Sequence, residues 1–220
     1  MKRTTFARNT LALMLAATFA VAVPVIVFAK PAAAATRPLG VPGKLVLDNS
    51  SRILATLETR RAEFTKNRGA LKQFVAAEFT QMLDRQYSAR LVLGMHSRGA
   101  SQADINAFAD ALAENLMARY GSSLLDFNTR LTVRVKSETN VANGRATKVS
   151  TEMLRQGGDP IPVDYLMHQV NGQWKVFDVL VEGVSFVQTF RSQFDAPLKR
   201  APIAKVAADL KAGRLQAQAR

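Results

Sequence analysis

Between residues 131 and 182 the apolar positions stop recurring every three or four residues and begin to alternate, and turn signals cut the alternation into short runs. Leu131, Val133 and Val135 alternate with Thr132, Arg134 and Lys136, the pattern of a strand with one buried and one wet face. Asn143-Gly144 precedes a second run over 145–155, Gly157-Gly158-Asp159-Pro160 a third over 162–170, and Asn171-Gly172 a fourth over 173–182. Asn-Gly between two such runs is a hairpin signal, because a type I′ turn needs positive φ at both central residues. Connections this short force antiparallel neighbours, since parallel pairing needs a long crossover. A four-stranded antiparallel sheet, with room for a fifth strand, therefore constrains the rest of the chain.

Helical periods flank the strands. Residues 36–43, rich in proline and glycine, read as a linker. Val46, Ile53, Leu54 and Leu57 mark a helix over 44–64; Leu71, Phe74, Val75, Phe79 and Met82 mark one over 69–84. A short turn of helix around Ser88–Leu93 ends at Gly94. Ser101 and Asp104 have capping-box spacing at the head of the longest stripe, Ile105, Phe108, Ala109, Leu112, Leu116 and Tyr120, with Gly121 as its stop. After Gly183 the helical period returns with Val184, Val187, Phe190 and Phe194, and a last helix from Pro202 carries Ile203, Val206 and Leu210. Residues 214–220 read as a frayed tail. Helices, a meander, then helices again define an α+β domain over 44–213.

The N-terminus carries a separate message. Lys2, Arg3 and Arg8 precede an apolar run from Leu11 to Ala29, and Ala32–Ala35 follow, the parts of a signal peptide over 1–35 cleaved after Ala29 or Ala35. The competing reading is an uncleaved anchor, against which Pro24 and the alanine-rich exit argue. Removing 1–35 takes away Lys2, Arg3, Arg8 and Lys30 and no acid, so the net charge falls from +13 to +9. The remaining basic residues are dispersed, unlike a nucleic-acid arm, so an acidic partner or lipid surface is favoured over nucleic acid, with plain solubility as the plainer explanation. With no cysteine there is no disulfide, thiol nucleophile or thiolate metal site.

Catalytic candidates are thin. His168 has Asp164, Tyr165 and Asp178 within reach in sequence, but Asp164 and His168 share a strand face and Tyr165 points the other way. Two histidines without cysteine make a poor metal set, and no phosphate loop or nucleophile elbow is present. Neither an enzyme nor a resident cofactor or metal is expected. Asp178, inside an apolar strand, calls for a partner if buried, and Arg98 or Arg191 would serve; either arginine could instead stand at a cavity rim and meet a phosphate. The stretch Trp174–Val181 is apolar on both parities, so both faces should be covered. Phe177, Val179 and Val181 continue towards Val184, Val187 and Phe190, with Tyr165 and Met167 on the adjacent strand. With Leu112, Leu116, Tyr120 and Val133 they form the candidate lining of an apolar cavity, although a filled core is the commoner use of such stripes.

The segments Asp164-Tyr165, Asn171 to Val179, Val181 to Val187 and Phe190-Arg191-Ser192-Gln193-Phe194 closely resemble the MlaC family of periplasmic phospholipid-binding proteins, also called toluene-tolerance auxiliary proteins. Leu93-Gly94, Arg98, Ala100-Ser101, Phe108, Leu116 and Tyr120-Gly121 are similar to that family's middle helices, with Ser97 where an aromatic is usual. The resemblance implies helices around a bent antiparallel sheet that encloses lipid tails. It further implies a periplasmic carrier working between an outer-membrane lipoprotein–porin complex and an inner-membrane ABC transporter with an MCE-domain subunit, maintaining outer-membrane lipid asymmetry. A related branch is associated with hopanoids, so another lipid is the alternative cargo; a small-molecule enzyme on a cone-shaped α+β scaffold is the alternative function. The physics suits a carrier: two acyl chains of roughly 30 methylenes at about 0.8 kcal/mol each put on the order of 20 kcal/mol in the way of passage through water.

Overall fold

A computed structural model describes residues 38–120 and 131–218, the side chains of Phe79, Arg119 and Tyr120 apart. The expected signal peptide and the stop at Gly121 lie outside these residues. Among them are seven α-helices and one five-stranded sheet, an α+β architecture. The order is α1 (Val41–Thr59), α2 (Arg61–Lys66), α3 (Arg68–Met82), α4 (Arg85–Leu93), a 3-10 turn (Gly94–Ser97) and α5 (Gln102–Tyr120). Then come β1 (Thr132–Val141), β2 (Ala146–Leu154), β3 (Ile161–Val170), β4 (Gln173–Val181), β5 (Val184–Ser185), α6 (Phe186–Arg200) and α7 (Ile203–Lys211).

The strands pair in sequence order, each antiparallel to the next. Asn143-Gly144, Asn171-Gly172 and Glu182-Gly183 all have positive φ, as the tight turns demand. Two bulges bend the sheet. Lys136 is unpaired between Val135 and Ser137, and Phe177 is unpaired between Val176 and Asp178. The second bulge flips parity along β4: Val176 joins Val179 and Val181 on the face that bears Tyr165 and Met167, and Phe177 turns to the other face. The reading that put Phe177 on one wall with Val179 and Val181 is corrected by this extra residue.

Helix ends follow their local chemistry. Asp84 Oδ1 caps α4 by accepting from Tyr87 N at 2.9 Å, and α4 stops at Gly94, whose φ is +56°. Ser101 Oγ accepts from Asp104 N at 3.0 Å and donates to Asp104 Oδ2 at 2.7 Å. The linker is shorter than its composition implied: Pro42 lies in the first turn of α1, where its fixed φ suits a helix, so the helix starts at Val41. The single helix read over 44–64 breaks at Arg60 into α1 and α2.

The chain end is held rather than frayed through Gln218. Asn115 Nδ2 donates to the carbonyls of Leu210 at 2.9 Å and Leu215 at 3.2 Å, and its Oδ1 accepts from Ala217 N at 3.0 Å. Gln193 Oε1 accepts from Gln218 N at 3.0 Å. Two side-chain amides thus act as the strand partner that residues 215–218 lack, and Ala217 is fully buried.

Most domains of this size pack one contiguous core. Here the buried apolar residues, among the described ones, fall into three clusters. The largest is helical: Val92, Leu93, Ile105, Phe108, Leu112, Val187, Phe190, Phe194, Val206 and Leu210 join α4, α5, α6 and α7. Leu57, Phe64, Leu71 and Val75 join α1, α2 and α3. Val46 of α1 closes on Val149, Met167 and Val176 of the sheet.

Candidate functional site

Directly paired strand residues share a face, so the registers define rows across the side of the sheet that α1 covers. One row runs Thr147, Met167, Val176; it is buried and sealed by Val46. The next runs Val149, Tyr165, Val179, then Val135, Thr151, Val163, Val181, and at the far end Val133, Met153, Ile161. Val149, Thr151 and Val163 in the middle of the sheet stay buried, while cover thins at the flanks and is least in the last row. Val133, Val135, Met153, Ile161, Tyr165, Val179 and Val181 are all half-buried, so the apolar face opens away from the sealed row. Leaving such side chains half-covered inside a fold forfeits dispersion and transfer energy that a packed core would recover.

The sheet cluster reaches into this strip, with Val149 buried in it and Val135, Tyr165 and Val179 packed against its edge. Leu116 on α5 packs against the helical cluster and Met117, its neighbour, against the cluster of α1, α2 and α3, and both are half-buried. Tyr165 holds its hydroxyl in a hydrogen bond with the buried Ser50 of α1; burial pushes that hydroxyl up from its ordinary value, with the Ser50 bond opposing in part. A phenol anchored by its tip leaves its ring as apolar wall.

The remaining predicted lining residues divide. Leu112, Val187 and Phe190 sit inside the helical cluster, and Met167 in the sealed row. Val184 on β5 is exposed opposite Val181. Phe177 packs edge-on against Tyr87 and His168 on the other face, with ring centroids 5.4 and 5.1 Å away. The side chain of Tyr120 lies outside the described residues. Arg98 is exposed beyond the 3-10 turn, and the exposed Arg191 lays its guanidinium over Gly94, at the C-terminal end of α4, where a cation suits the helix dipole.

Neither arginine meets Asp178. That buried carboxylate accepts from Val179 N at 2.8 Å, Ser185 Oγ at 2.6 Å and Val187 N at 3.0 Å, so donors at the head of α6 replace the expected ion pair. His168 is taken up by Asp84, whose Oδ2 lies 3.0 Å from Nε2, and by the Tyr87 ring at 4.6 Å. Asp164 instead lies 3.7 Å from Lys148. His96 meets Asp195 at 3.1 Å across 99 residues of sequence. Among the described residues no three histidine, cysteine or acidic side chains gather as a metal set, and no helix is long and apolar enough to cross a membrane. Ser50, Asp84 and Asn115 were not singled out from the sequence; each is a small polar residue whose partner is remote, and only the fold reveals it.

The scaffold places the chain in the α+β class, with helices around an open, bent antiparallel sheet. Within that class the chain belongs to the MlaC protein family, whose model matches residues 48–212. It is similar to the toluene tolerance protein ttg2D of Pseudomonas putida, 24% identical over 161 residues, 72% of this chain and 74% of that protein. It is also similar to the intermembrane phospholipid transport system binding protein MlaC of Haemophilus influenzae, 18% identical over 150 residues, 67% of this chain and 70% of that one. Its fold matches that of a phospholipid-binding protein from Ralstonia solanacearum solved in complex with a phospholipid, with a TM-score of 0.68 and 20% identity, covering 77% of this chain and 94% of that one.

Proposed function

We propose that this chain is a phospholipid carrier with no chemistry of its own, and that the acyl tails lie along the half-covered strip of the sheet beyond the row that Val46 seals. The observation that carries this reading is the run of half-buried apolar side chains on one face of the sheet, Val133, Val135, Tyr165, Val179 and Val181, beside an apolar interior that falls into three clusters among the described residues. The phospholipid-binding relatives and the phospholipid-bound neighbour support the same cargo. Val133, Val135, Tyr165, Val179 and Val181 line the strip, with Leu116 across from it; Leu112, Met167, Val187 and Phe190 support the lining from within packed clusters. Val184, Arg98 and Arg191 belong to the rim, where headgroup contacts stay few and wet.

The work of such a carrier is to hide tails in transit. Burying even one chain of about 15 methylenes replaces roughly 12 kcal/mol of unfavourable hydration. The fatty strip gives that energy without selecting a headgroup. The chain is exported by its N-terminal signal and moves phospholipid through the periplasm between an outer-membrane lipoprotein–porin complex and an inner-membrane ABC transporter with an MCE-domain subunit. Native mass spectrometry of protein prepared without detergent tests the cargo: a bound mass of one phospholipid supports the reading, and a uniformly empty chain contradicts it.

A further inference from the structure

Over α1, α2 and α3 the charges do not balance, and the surplus is concentrated in one place. This stretch holds four acids, Asp48, Glu58, Glu63 and Glu78, and each is paired within it: Lys44 with Asp48, Arg61 with Glu58, Arg60 with Glu63 and Arg52 with Glu78. The three basic residues left over, Lys66, Arg68 and Lys72, all lie where α2 turns into α3, all are exposed, and none has an ion pair or hydrogen bond among the described residues. Arg68 and Lys72 are four apart on one helix, a like-charge spacing that destabilises the helix. No acid among the described residues pairs with either.

The corner beneath is firm. Phe64 is fully buried and stacks on Phe74 with ring centroids 5.6 Å apart, and the Arg60 guanidinium lies over its ring, 4.5 Å from the centroid. Asn67 Oδ1 accepts from Ala70 N at 3.0 Å and sets the start of α3. A rigid corner with three uncompensated cations, exposed Asn67 and Gly69 between them, and no exposed large apolar side chain suits a flat anionic surface. It does not suit an apolar groove.

We propose that the α2–α3 corner, through Lys66, Arg68 and Lys72, docks the chain on anionic phospholipid bilayers. This goes beyond the carrier reading, since it concerns the outside of the molecule, and the two fail separately. Each cation near an anionic leaflet is worth about fivefold in binding, so removing three weakens it on the order of 100-fold, and the attraction is screened by salt.

The test is co-flotation of the mature chain with phosphatidylcholine vesicles, with and without phosphatidylglycerol, for the parent, K66Q/R68Q/K72Q and a control with the same charge change elsewhere, R145Q/R155Q/R200Q. The expected result is binding to the anionic vesicles only, falling on the order of 100-fold in the corner variant and far less in the control. K66R/R68K/K72R should bind like the parent, which separates charge from folding. Equal losses in both triple variants would reduce the effect to net charge and overturn the proposal. Unchanged binding of the corner variant would overturn it too, and leave an acidic protein as the partner of the corner. Native mass spectra of the same samples keep the questions apart: bound lipid in the corner variant with vesicle binding lost supports the docking surface, and an empty parent that still floats contradicts the carrier reading alone.

Discussion

Glu138 of β1 accepts a 2.6 Å hydrogen bond from the amide of Gly40, 98 residues earlier, and so caps α1 from the sheet. Gly40 has no side chain to cap the helix itself, and the carboxylate also lies against Gly43, where a Cβ would collide with it. A negative group at a helix N-terminus satisfies a free amide and the helix dipole together. Both Glu138→Ala and Gly43→Ala should therefore cost about 1 kcal/mol, and the double variant should cost little more than either. Urea unfolding of the three variants checks this; full additivity would mean that the two residues act independently.

Asp178 is expected to be a structural residue of the α6 start. Asp178→Ala leaves Val187 N and Ser185 Oγ without their acceptor and should cost about 2–3 kcal/mol, whereas Ser185→Ala, which spares the bond to Val187 N, should cost about 1 kcal/mol. Thermal unfolding distinguishes the two.

Arg52 and Glu78 join α1 to α3 by a two-pronged ion pair, and the Glu78 side chain is only 9% exposed. Arg52→Ala strands a nearly buried carboxylate and should cost about 2 kcal/mol, less than for a fully buried pair because Arg52 is half in water. Arg52→Ala with Glu78→Leu should recover most of that loss in the same denaturation experiment.

Acid should weaken the fold through specific carboxylates. Lys205 and Arg214 hold Asp209 below the usual carboxylate range; Lys199 and His96 do so for Asp195, and Lys136 and Arg134 for Glu152. A carboxylate whose value is lowered by folding stabilises the protein at pH values above its unfolded value, about 3.9 for Asp and 4.3 for Glu. That contribution is lost as the pH falls through the lower folded value, so stability should decline below about pH 4. The urea midpoint followed against pH should show the decline, and Asp209→Asn should flatten it.

The meander was legible because turn chemistry is local: Asn143-Gly144 and Asn171-Gly172 need no information beyond their own backbone. Gly94 and Ser101 marked helix ends for the same reason. The Phe177 bulge was not legible, since an extra residue leaves the apolar pattern intact while turning it over, and Phe177, one of the three β4 residues of the proposed wall, left it. The Asp178 reading failed differently. A buried carboxylate asks for donors, and sequence spacing pointed to arginines, but the backbone of the next helix answered first. Asn115 and Gln193 hold the chain end through its main chain, which no side-chain pattern records.

Charges placed in the strip should separate loading from folding. Val181→Lys and Val133→Lys enter half-buried positions, where a long amine can reach water, and should abolish lipid retention while the melting temperature falls by only a few degrees. Val187→Lys, inside the helical cluster, should unfold the protein instead. Native mass spectra and thermal melts of the three variants show whether the two kinds of position differ.

Contacts between bound acyl chains and the protein's methyl groups reach the central question most directly. In methyl-labelled protein loaded with phospholipid, nuclear Overhauser effects from acyl methylenes should appear at Leu116, Val133, Val135, Val179 and Val181. Val206 and Leu210, deep in the helical cluster, should show none. Acyl contacts confined to other methyls, or a loaded protein with none along the strip, would contradict a lipid site on that face of the sheet.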